Sequence, residues 1–561
     1  MKKQILWKVL AAILLVSTPN LFPVFAADAL PSATEAWTAT FTQDIEWQRL
    51  TDAGFLIVCT DSGLYGLNPE TGATAWHMEE AKSIPQDYLE IVEGTPYAIV
   101  TKKAETKGSK LEIVMLDVTT GQAQWTSKEL GIANSQGQFL YLPAGAIIIC
   151  GEKPNSGKTV TVMADLITGI PIWTNDTLFK KDVLMFPIRT DKTSGRKGIV
   201  GNQPPVALPD GNFLEFWSKA GPRKIDAKTG NVIWTSPLKV KDVPGLRRDY
   251  APICLSADGQ IAYVPHEGTV DAIQLSDGKV LWKEGPDLRS KVVQMAVTPQ
   301  GLVVSGVFSQ KTTGMKLNPL TKQMENNVAT TKPYLTVIDP LTGKPKWKKP
   351  FKDLLGATPF VIRNDQVVIF TGIAHRSLKA FNISDGTETE LVEKVKFKGN
   401  ENPNSLELVG GNFVLASDQN LMMVDTTGKT VYHNYHDAPG SGLLKFISEN
   451  AAPSVSGGGF NSLGFWNVDL NRETKLQRTL SNPIMSRRIQ ALEQAKNFIT
   501  MRANLEDGAE KGPGLVKIDK TSGNDVKSII LGKKKPEYLH DDIGERLYFR
   551  KDSHTIVCFT F

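Results

Sequence analysis

The side chains best suited to binding another molecule are five arginines in loops that precede predicted inner strands. Arg247 and Arg248 lie in "VPGLRRDYAP", Arg289 lies in "PDLRSKV", and Arg487 and Arg488 lie in "MSRRIQ". The planar guanidinium group of arginine matches the geometry of a carboxylate. If these loops meet on one face, we expect the arginines to bind an acidic protein surface or a carboxylate ligand. The alternative is that they are solvated loop charges.

Two other stretches contain residues that could bind a phosphate or a metal. The loop "GEKPNSGKT" has five residues between Gly151 and Gly157, one more than a phosphate-binding loop has. His433, His436 and Asp437 could ligate a metal if the two histidines lay on a helix, where side chains three residues apart share a face. Both stretches fall in regions predicted as strand and loop. We therefore predict a hairpin loop and surface side chains, with no catalytic residues and no metal site.

The four cysteines could form disulfides or remain as thiols. Cys59, Cys150, Cys254 and Cys558 each lie in an apolar, strand-like run. An even number of cysteines in an exported protein is compatible with two disulfides. Because neither their spacing nor their setting links them in pairs, we predict free, buried thiols.

The elements that would position all these residues are copies of one repeat. Each copy has an apolar strand, an Asp, Asn or Gln, a Gly four residues later, and a Trp four residues after the glycine. The six clear copies are "LYGLNPETGATAW", "IVMLDVTTGQAQW", "TVMADLITGIPIW", "PRKIDAKTGNVIW", "VDAIQLSDGKVLW" and "LTVIDPLTGKPKW", which end at Trp76, Trp125, Trp173, Trp234, Trp282 and Trp347. Three of the five intervals are 48 or 49 residues long, the size of a propeller blade.

The repeat has the chemistry of a tight turn. An Asp or Asn such as Asp117 accepts a hydrogen bond from a backbone N–H two residues on, and the glycine adopts the positive φ that closes the turn. The tryptophan then leaves on a fixed face of the next strand, where its large apolar surface can pack between blades. We therefore predict that these six tryptophans, together with Trp37 near the N-terminus, dock neighbouring blades.

Weaker copies extend the series towards the C-terminus. They are "KAFNISDGTETE", "LMMVDTTGKTVY", "FWNVDLNRETKLQ" and "VKIDKTSGNDVK", where Glu390, Tyr432, Gln477 and Lys527 replace the tryptophan. The pattern predicts an all-β propeller of four-stranded antiparallel blades, with about ten or eleven repeat units in one large ring or in two fused rings. The N- and C-terminal strands are expected to pair and close the ring, which removes an exposed strand edge.

The strand, the Asp-x-x-Thr-Gly turn and the tryptophan together resemble the repeat of quinoprotein-type (PQQ-like) β-propellers, over essentially residues 37–561. That family includes quinone-dependent alcohol dehydrogenases and a scaffold lipoprotein of the outer-membrane β-barrel assembly machine. For a dehydrogenase, the resemblance implies PQQ with calcium, an adjacent cysteine pair, calcium-binding carboxylates and an aspartate base. No two cysteines of this chain are adjacent. We therefore expect a non-enzymatic scaffold without a cofactor, and a divergent PQQ-dependent oxidoreductase is the alternative.

The first residues have the pattern of a secretory signal peptide. Lys2 and Lys3 precede an apolar run from Ile5 to Val16, and small residues follow at Ala26 and Ala27. We predict a signal peptide over residues 1–26 and a repeat region over residues 27–561. The protein is then expected to be periplasmic or secreted, without a transmembrane anchor.

The charge of the chain bears on its partners. The net charge is +5, and removing residues 1–26 with their three lysines leaves +2. This small excess argues against nucleic acid as the main partner, because tracking phosphates requires clustered Lys and Arg. The predicted function is a protein-binding or assembly scaffold in the cell envelope, whose partner is another envelope or extracellular protein, or an acidic ligand.

Overall fold

A computed structural model describes most of the chain. The described residues are 30–103, 110–178, 188–190, 197–199, 205–215, 221–238, 253–266, 268–288, 291–307, 310–317, 324–330, 333–372, 375–439, 484–485, 487–488, 491, 495–507 and 510–561. The predicted signal peptide and the repeat copy that contains Gln477 lie outside them. No helix in this described part is long and apolar enough to cross a membrane.

The described strands form ten blade sheets, seven with four strands and three with three. Blade 1 consists of β2 (Trp47–Leu50), β3 (Leu56–Thr60), β4 (Gly63–Leu67) and β5 (Thr74–Met78). Blade 2 consists of β6 (Leu89–Ile91), β7 (Tyr97–Lys103), β8 (Leu111–Asp117) and β9 (Ala123–Thr126). Blade 3 consists of β10 (Asn134–Tyr141), β11 (Ala146–Glu152), β12 (Thr159–Asp165) and β13 (Pro171–Asn175).

The next four blades include two that contain three strands. Blade 4 consists of β16 (Val206–Ala207), β17 (Phe213–Glu215), β18 (Arg223–Ile225) and β19 (Val232–Thr235). Blade 5 consists of β20 (Cys254–Leu255), β21 (Ile261–His266) and β22 (Thr269–Gln274), and blade 6 of β23 (Lys291–Thr298), β24 (Gly301–Val307) and β27 (Tyr334–Ile338). Blade 7 consists of β28 (Val361–Arg363), β29 (Gln366–Phe370), β30 (Leu378–Asn382) and β31 (Glu388–Val392).

The last blades complete the series and use the first strand of the chain. Blade 8 consists of β32 (Ser405–Val409), β33 (Asn412–Ala416), β34 (Asn420–Val424) and β35 (Thr430–Tyr435), and blade 9 of β36 (Phe498–Asp507), β37 (Glu510–Asp519) and β38 (Asp525–Ile530). Blade 10 consists of β39 (Glu537–Asp541), β40 (Arg546–Arg550), β41 (Thr555–Thr560) and β1 (Thr34–Thr40).

In the described residues, two further hairpins and four 3₁₀ turns lie between or within the blades. The hairpins are β14 (Ile188–Thr190) with β15 (Lys197–Ile199), and β25 (Gln310–Leu317) with β26 (Met324–Thr330). The 3₁₀ turns are Glu79–Ala81, Gln86–Tyr88, Leu142–Ala144 and Lys398–Asn400.

The repeated turn forms because its residues satisfy the backbone locally. In blade 3 the Asp165 carboxylate accepts the backbone N–H groups of Ile167 at 3.1 Å and Thr168 at 2.8 Å. Gly169 has a φ of +67°, a conformation that a side chain disfavours. The chain therefore reverses within a few residues, and β13 pairs with β12 in register, placing Trp173 opposite Met163.

The terminal strands close one ring, as the sequence predicts. β1 pairs antiparallel with β41, so that Trp37 lies opposite Cys558. Blades 9 and 10 are also in contact, because Leu515 and Leu547 share an apolar cluster. The sequence left open one ring or two, and the described blades form a single ring in which each blade packs against the next.

The apolar core lies between the blades. One cluster joins Ile99 and Ile113 of blade 2 to Ile147 and Val162 of blade 3. The middle strands are buried on both faces, and every residue of β3 is buried. This explains why the middle strands read as continuous apolar runs, whereas the outer strands bury mainly the tryptophan and its neighbours.

Candidate interaction surface

The repeat tryptophans lie at the contacts between successive blades. Each indole N–H donates a hydrogen bond, 2.7–3.2 Å long, to a backbone carbonyl in the repeated turn of the next blade. In order from Trp37 to Trp347, the acceptors are Pro69, Val118, Leu166, Ala227, Leu275, Pro340 and Ile383. Six of the seven indoles are buried, and Trp234 is half-buried. One contact of this kind therefore links each pair of blades from blade 10 round to blade 7.

The turn glycine completes each contact from the other side. A Cβ atom on Gly169 would lie 2.5 Å from Cγ of Trp125, and one on Gly121 would lie 2.4 Å from Cγ of Trp76. Such distances are shorter than van der Waals contact. The glycine is thus required twice, once for its positive φ and once for the space that the neighbouring indole occupies.

The weaker copies keep the contact with other side chains. Tyr432 takes the tryptophan position of blade 8, and its hydroxyl donates to the carbonyl of Lys520 in blade 9. Gly523 of that turn packs against the tyrosine ring. In blade 7 the backbone carbonyl of Leu391 lies against Gly428 of blade 8. The ring therefore stays packed where the tryptophan is lost.

The two faces of the ring carry different sets of turns and connections. In a four-stranded antiparallel blade, the turn between the second and third strands lies on the same face as the connections between blades. We call this the hairpin face, and it carries the β7–β8, β11–β12, β24–β27 and β36–β37 connections. The opposite face, which we call the turn face, carries the turns between first and second strands and the repeated Asp-to-Gly turns.

Some hairpins extend beyond their blades on the hairpin face. β37 pairs with β38 only from Gly514 onward, while its pairing with β36 continues to Glu510. Between β24 and β27, blade 6 inserts the separate β25–β26 hairpin. Blades 7 and 8 show no such extension, since their third strands pair with the fourth up to their first residues, Leu378 and Asn420. The projecting backbone is thus confined to particular blades.

Charges on these hairpins are paired with each other. Lys102 of β7 lies 3.8 Å from Glu112 of β8 and 3.9 Å from Glu80 of the connection before blade 2. Lys153 beside β11 pairs with Asp176 at 2.6 Å. These ion pairs offset the lysine charges at the two positions, although an exposed pair such as that of Lys153 adds little stability.

The predicted arginine rim is only partly within the described residues. Arg247, Arg248 and Arg289 lie outside them, so their convergence stays a prediction. Residues 487–488 have helical backbone, with Arg487 exposed and Arg488 half-buried. The guanidinium of Arg488 is engaged within the molecule, since it donates two hydrogen bonds of 2.7 and 2.9 Å to the carboxylate of Asp541.

Arg488 joins the first turns of three blades on the turn face. Its Nε donates to the backbone carbonyl of Asp52 in blade 1 at 2.5 Å, while Asp541 belongs to blade 10. The carboxylate of Asp52 in turn accepts the backbone N–H of Gly94 in blade 2 at 2.7 Å. Met485 packs into the apolar cluster of blades 1 and 2. This contact holds the ring together next to the place where its ends meet.

The other two candidate stretches of the sequence form a hairpin loop and separate side-chain contacts. The loop that resembles a phosphate-binding loop joins β11 to β12, with Asn155 and Gly157 at positive φ. His433 contacts Asn420 at 3.0 Å, whereas His436 contacts Asp525 at 3.2 Å, so the two imidazoles have separate partners. In the described part of the chain, no three His, Cys, Asp or Glu side chains are grouped to hold a metal.

All four cysteines are free thiols, and three are buried, with Cys254 half-buried. Burial raises the pKa of the Cys59 thiol to about 12 and the pKa values of the Cys254 and Cys558 thiols to about 11. Burial also raises the pKa of Cys150. The prediction of free thiols is confirmed, and burial is complete for all except Cys254.

A buried polar cluster between blades 9 and 10 was not predicted from the sequence. The imidazole Nδ1 of His540 lies 3.1 Å from the Thr500 hydroxyl and 3.1 Å from the Asp542 carboxyl. Burial lowers the pKa of His540 to about 3 and raises the pKa of Asp542 to about 6. Lys517, also buried, donates to the carbonyl of Phe561 at 3.2 Å. In the sequence, this cluster is marked only by a lysine and a histidine inside apolar strands. Nothing in the sequence indicates that those two strands pack against each other.

Comparison with protein families places part of the chain among propeller repeats. The family model described as outer membrane protein assembly factor BamB matches residues 21–178. These residues span blades 1 to 3 and the outer strand of blade 10. A search of curated protein sequences finds no match.

Comparison with solved structures returns propellers of several kinds. BamB from Moraxella catarrhalis is 14% identical, with 72% of this chain and 100% of that chain covered and a TM-score of 0.31. The quinohemoprotein alcohol dehydrogenase from Comamonas testosteroni is also 14% identical, with 70% and 72% covered and a TM-score of 0.29. The C-terminal WD40 domain of Sif2 is 8% identical, with 69% and 96% covered and a TM-score of 0.31.

Proposed function

We propose that this chain, which carries PQQ-like β-propeller repeats, is an exported scaffold that holds another protein of the cell envelope on its hairpin face. The observation that carries the proposal is the extension of hairpins beyond their blades on that face, above all the β36–β37 hairpin. Extended hairpins on a rigid ring can reach into a partner without disturbing the blades. Loops and turns positioned by a rigid scaffold commonly carry binding in proteins.

The rigidity of the ring supports the same proposal. Indole contacts between successive blades, and the arginine contact across blades 10, 1 and 2, fix the blades relative to each other. A partner that meets several hairpins at once benefits from this, because less conformational freedom is lost on binding to a preorganised surface. The β7–β8 and β11–β12 hairpins also extend beyond their blades, since pairing with the fourth strand begins only at Val114 and Thr161. The proposed partner is a protein because the projecting elements are spread over blades 2, 3, 6 and 9.

The proposal can be tested by shortening one hairpin. Leu505 and Gly512 face each other across the β36–β37 pair, so an Asn-Gly turn can join them in place of residues 506–511. We expect this variant to keep its melting temperature and to lose at least tenfold in capture of its partner from the native envelope. A control with Lys228→Glu and Thr426→Glu, both exposed on the turn face, should capture the partner like the unmodified chain. Equal capture by the shortened variant would contradict the proposal.

A further inference from the structure

The segment that follows the repeated turn of blade 6 carries a concentration of positive charge. Residues 344–352 contain five lysines and no acidic residue. The lysines are all exposed and are Lys344, Lys346, Lys348, Lys349 and Lys352. Trp347, in the middle of the stretch, is buried against blade 7. The backbone bends at residues 346–349, where Lys346 donates to the backbone carbonyl of Gln300 and the neighbouring lysines are exposed.

Two protruding leucines flank these lysines. Leu341, in the turn before this segment, is 79% exposed, and Leu355, after it, is 58% exposed. Leucine side chains this exposed leave most of their apolar surface in water, so transfer of that surface into an apolar phase would be favourable. We call residues 341–355 the basic rim. It runs along the outside of blade 6, from the repeated turn on the turn face at Leu341 to the connection between blades 6 and 7 at Leu355.

The lysines are not explained by protection of a strand edge against aggregation. Lysine on an edge strand does discourage the addition of another strand. The outer strands of blades 3 and 4 would need such protection more, since Ile172 and Ile233 are exposed on them. Those strands, "PIWTN" and "VIWT", contain no lysine. The lysines are therefore concentrated on one blade for another reason.

The occupant of the basic rim is not an added strand. Pro345 and Pro350 interrupt the stretch, and proline has no N–H to offer to a neighbouring strand. Isolated bridges, between Ile338 and Pro345 and between Leu335 and Phe351, join this segment to the third strand of its own blade. Pairing with a second copy of the chain, or with an extended peptide, would need a regular row of donors. The occupant must instead be recognised by charge and by insertion of the leucines.

We infer that the basic rim binds the surface of an anionic phospholipid bilayer. Lysines near an anionic membrane are attracted to the phosphate headgroups, each strengthening binding by roughly fivefold. Leucines that protrude beside them can enter the boundary between headgroups and acyl chains. A bilayer surface accepts both without a shaped pocket, whereas an acidic protein would need complementary pockets for Leu341 and Leu355. Docking through the outside of blade 6 would leave the hairpins of blades 2, 3 and 9 open to a protein partner.

Vesicle sedimentation with the full chain tests the inference. The probes are vesicles of phosphatidylcholine alone and of phosphatidylcholine with phosphatidylglycerol at about one lipid in three. We expect binding to the anionic vesicles only, weakening as salt is raised because the attraction is screened. The variant Lys344→Gln/Lys348→Gln/Lys349→Gln should bind about 100-fold more weakly, which is the loss expected for three lysines. The variant Leu341→Ser/Leu355→Ser should also bind more weakly.

A matched control separates the basic rim from general charge. The variant Lys128→Gln/Lys228→Gln/Lys429→Gln removes three exposed lysines from blades 2, 4 and 8 and should bind like the unmodified chain. Equal binding by the two triple variants, or no binding to anionic vesicles, would overturn the inference. So would binding to poly-glutamate with none to the vesicles, which would indicate an acidic protein. Because no protein partner is present, a negative result leaves the scaffold proposal unaffected.

Discussion

Replacement of Trp125 by alanine tests whether the blade contacts stabilise the ring. Its indole is 3% exposed, donates to the Leu166 carbonyl at 2.9 Å and packs against Gly169 of the next blade. Removing a buried tryptophan side chain costs about 3–5 kcal/mol through lost burial and the cavity that remains. Trp125→Phe keeps most of the apolar contact but leaves the carbonyl without its donor. We expect that variant to lose about 1–3 kcal/mol.

The half-buried Trp234 provides a graded comparison. Its indole donates to the Leu275 carbonyl at 3.2 Å and is less enclosed than that of Trp125. We therefore expect Trp234→Ala to lose about 2 kcal/mol, less than the fully enclosed site. The order of destabilisation should follow the order of burial. This order distinguishes docking between blades from a general effect of removing tryptophan.

Urea unfolding followed by far-UV circular dichroism measures these differences. The dependence of the free energy of unfolding on urea should stay the same in all variants, so that a change in midpoint reports stability. Gln124→Ala, at the exposed position next to Trp125, is the control and should stay within about 0.5 kcal/mol of the unmodified chain. If Trp125→Ala were no less stable than this control, the indole would not be a stabilising contact between blades.

The remaining predictions concern the thiols, the arginine contact and the buried histidine. With thiol pKa values near 11 or 12 for Cys59, Cys254 and Cys558, only about one thiol in 1,000 or fewer is ionised at pH 8. Reaction with Ellman's reagent should be slow until urea unfolds the chain, and rapid labelling of the folded protein would contradict this. Arg488→Met should lose about 3 kcal/mol in urea unfolding, because it leaves the buried carboxylate of Asp541 unpaired. Arg488→Met/Asp541→Leu should recover part of that loss, and additive losses would show that the pair is not coupled. His540 has a lowered pKa of about 3, so below pH 6.5 the unfolded chain takes up a proton that the folded chain does not. The free energy of unfolding of the unmodified chain, relative to that of His540→Gln, should therefore fall by up to about 1.4 kcal/mol per pH unit between pH 6 and 4. The raised pKa of Asp542 has the opposite effect on stability as the pH falls, in the unmodified chain and in the variant alike. A stability difference between the two proteins that does not change with pH would refute the lowered pKa of His540.

The sequence predicts the fold well because the repeat is local. The Asp, the glycine four residues later and the tryptophan lie within nine residues, so the turn and the docking position can be read without knowing the rest of the chain. The pairing of β1 with β41 could also be predicted from the repeats. An outer strand lies near one end of the chain and inner strands lie at the other, so together they complete one blade. The number of rings could not be read, because ring size depends on the angle between blades rather than on any single repeat.

The surface was harder to predict than the ring. Arg488 looked like a loop arginine, but its partners Asp52 and Asp541 are 436 and 53 residues away in sequence. His540 is likewise defined by contacts across blades, with Thr500 in blade 9. Which hairpins project depends on where a third strand stops pairing with the fourth, and the sequence marks that point only weakly.

Site-specific photo-crosslinking tests the central claim, that the hairpin face holds a protein partner, most directly. A photoreactive residue is placed at Ser156 or Lys511 on the hairpin face, or at Lys228 or Thr426 on the turn face, all of which are exposed. We predict that irradiation in the native envelope links one and the same protein to Ser156 and Lys511, and none to Lys228 and Thr426. Crosslinks to that protein from the turn face alone, or from neither face, would contradict the account.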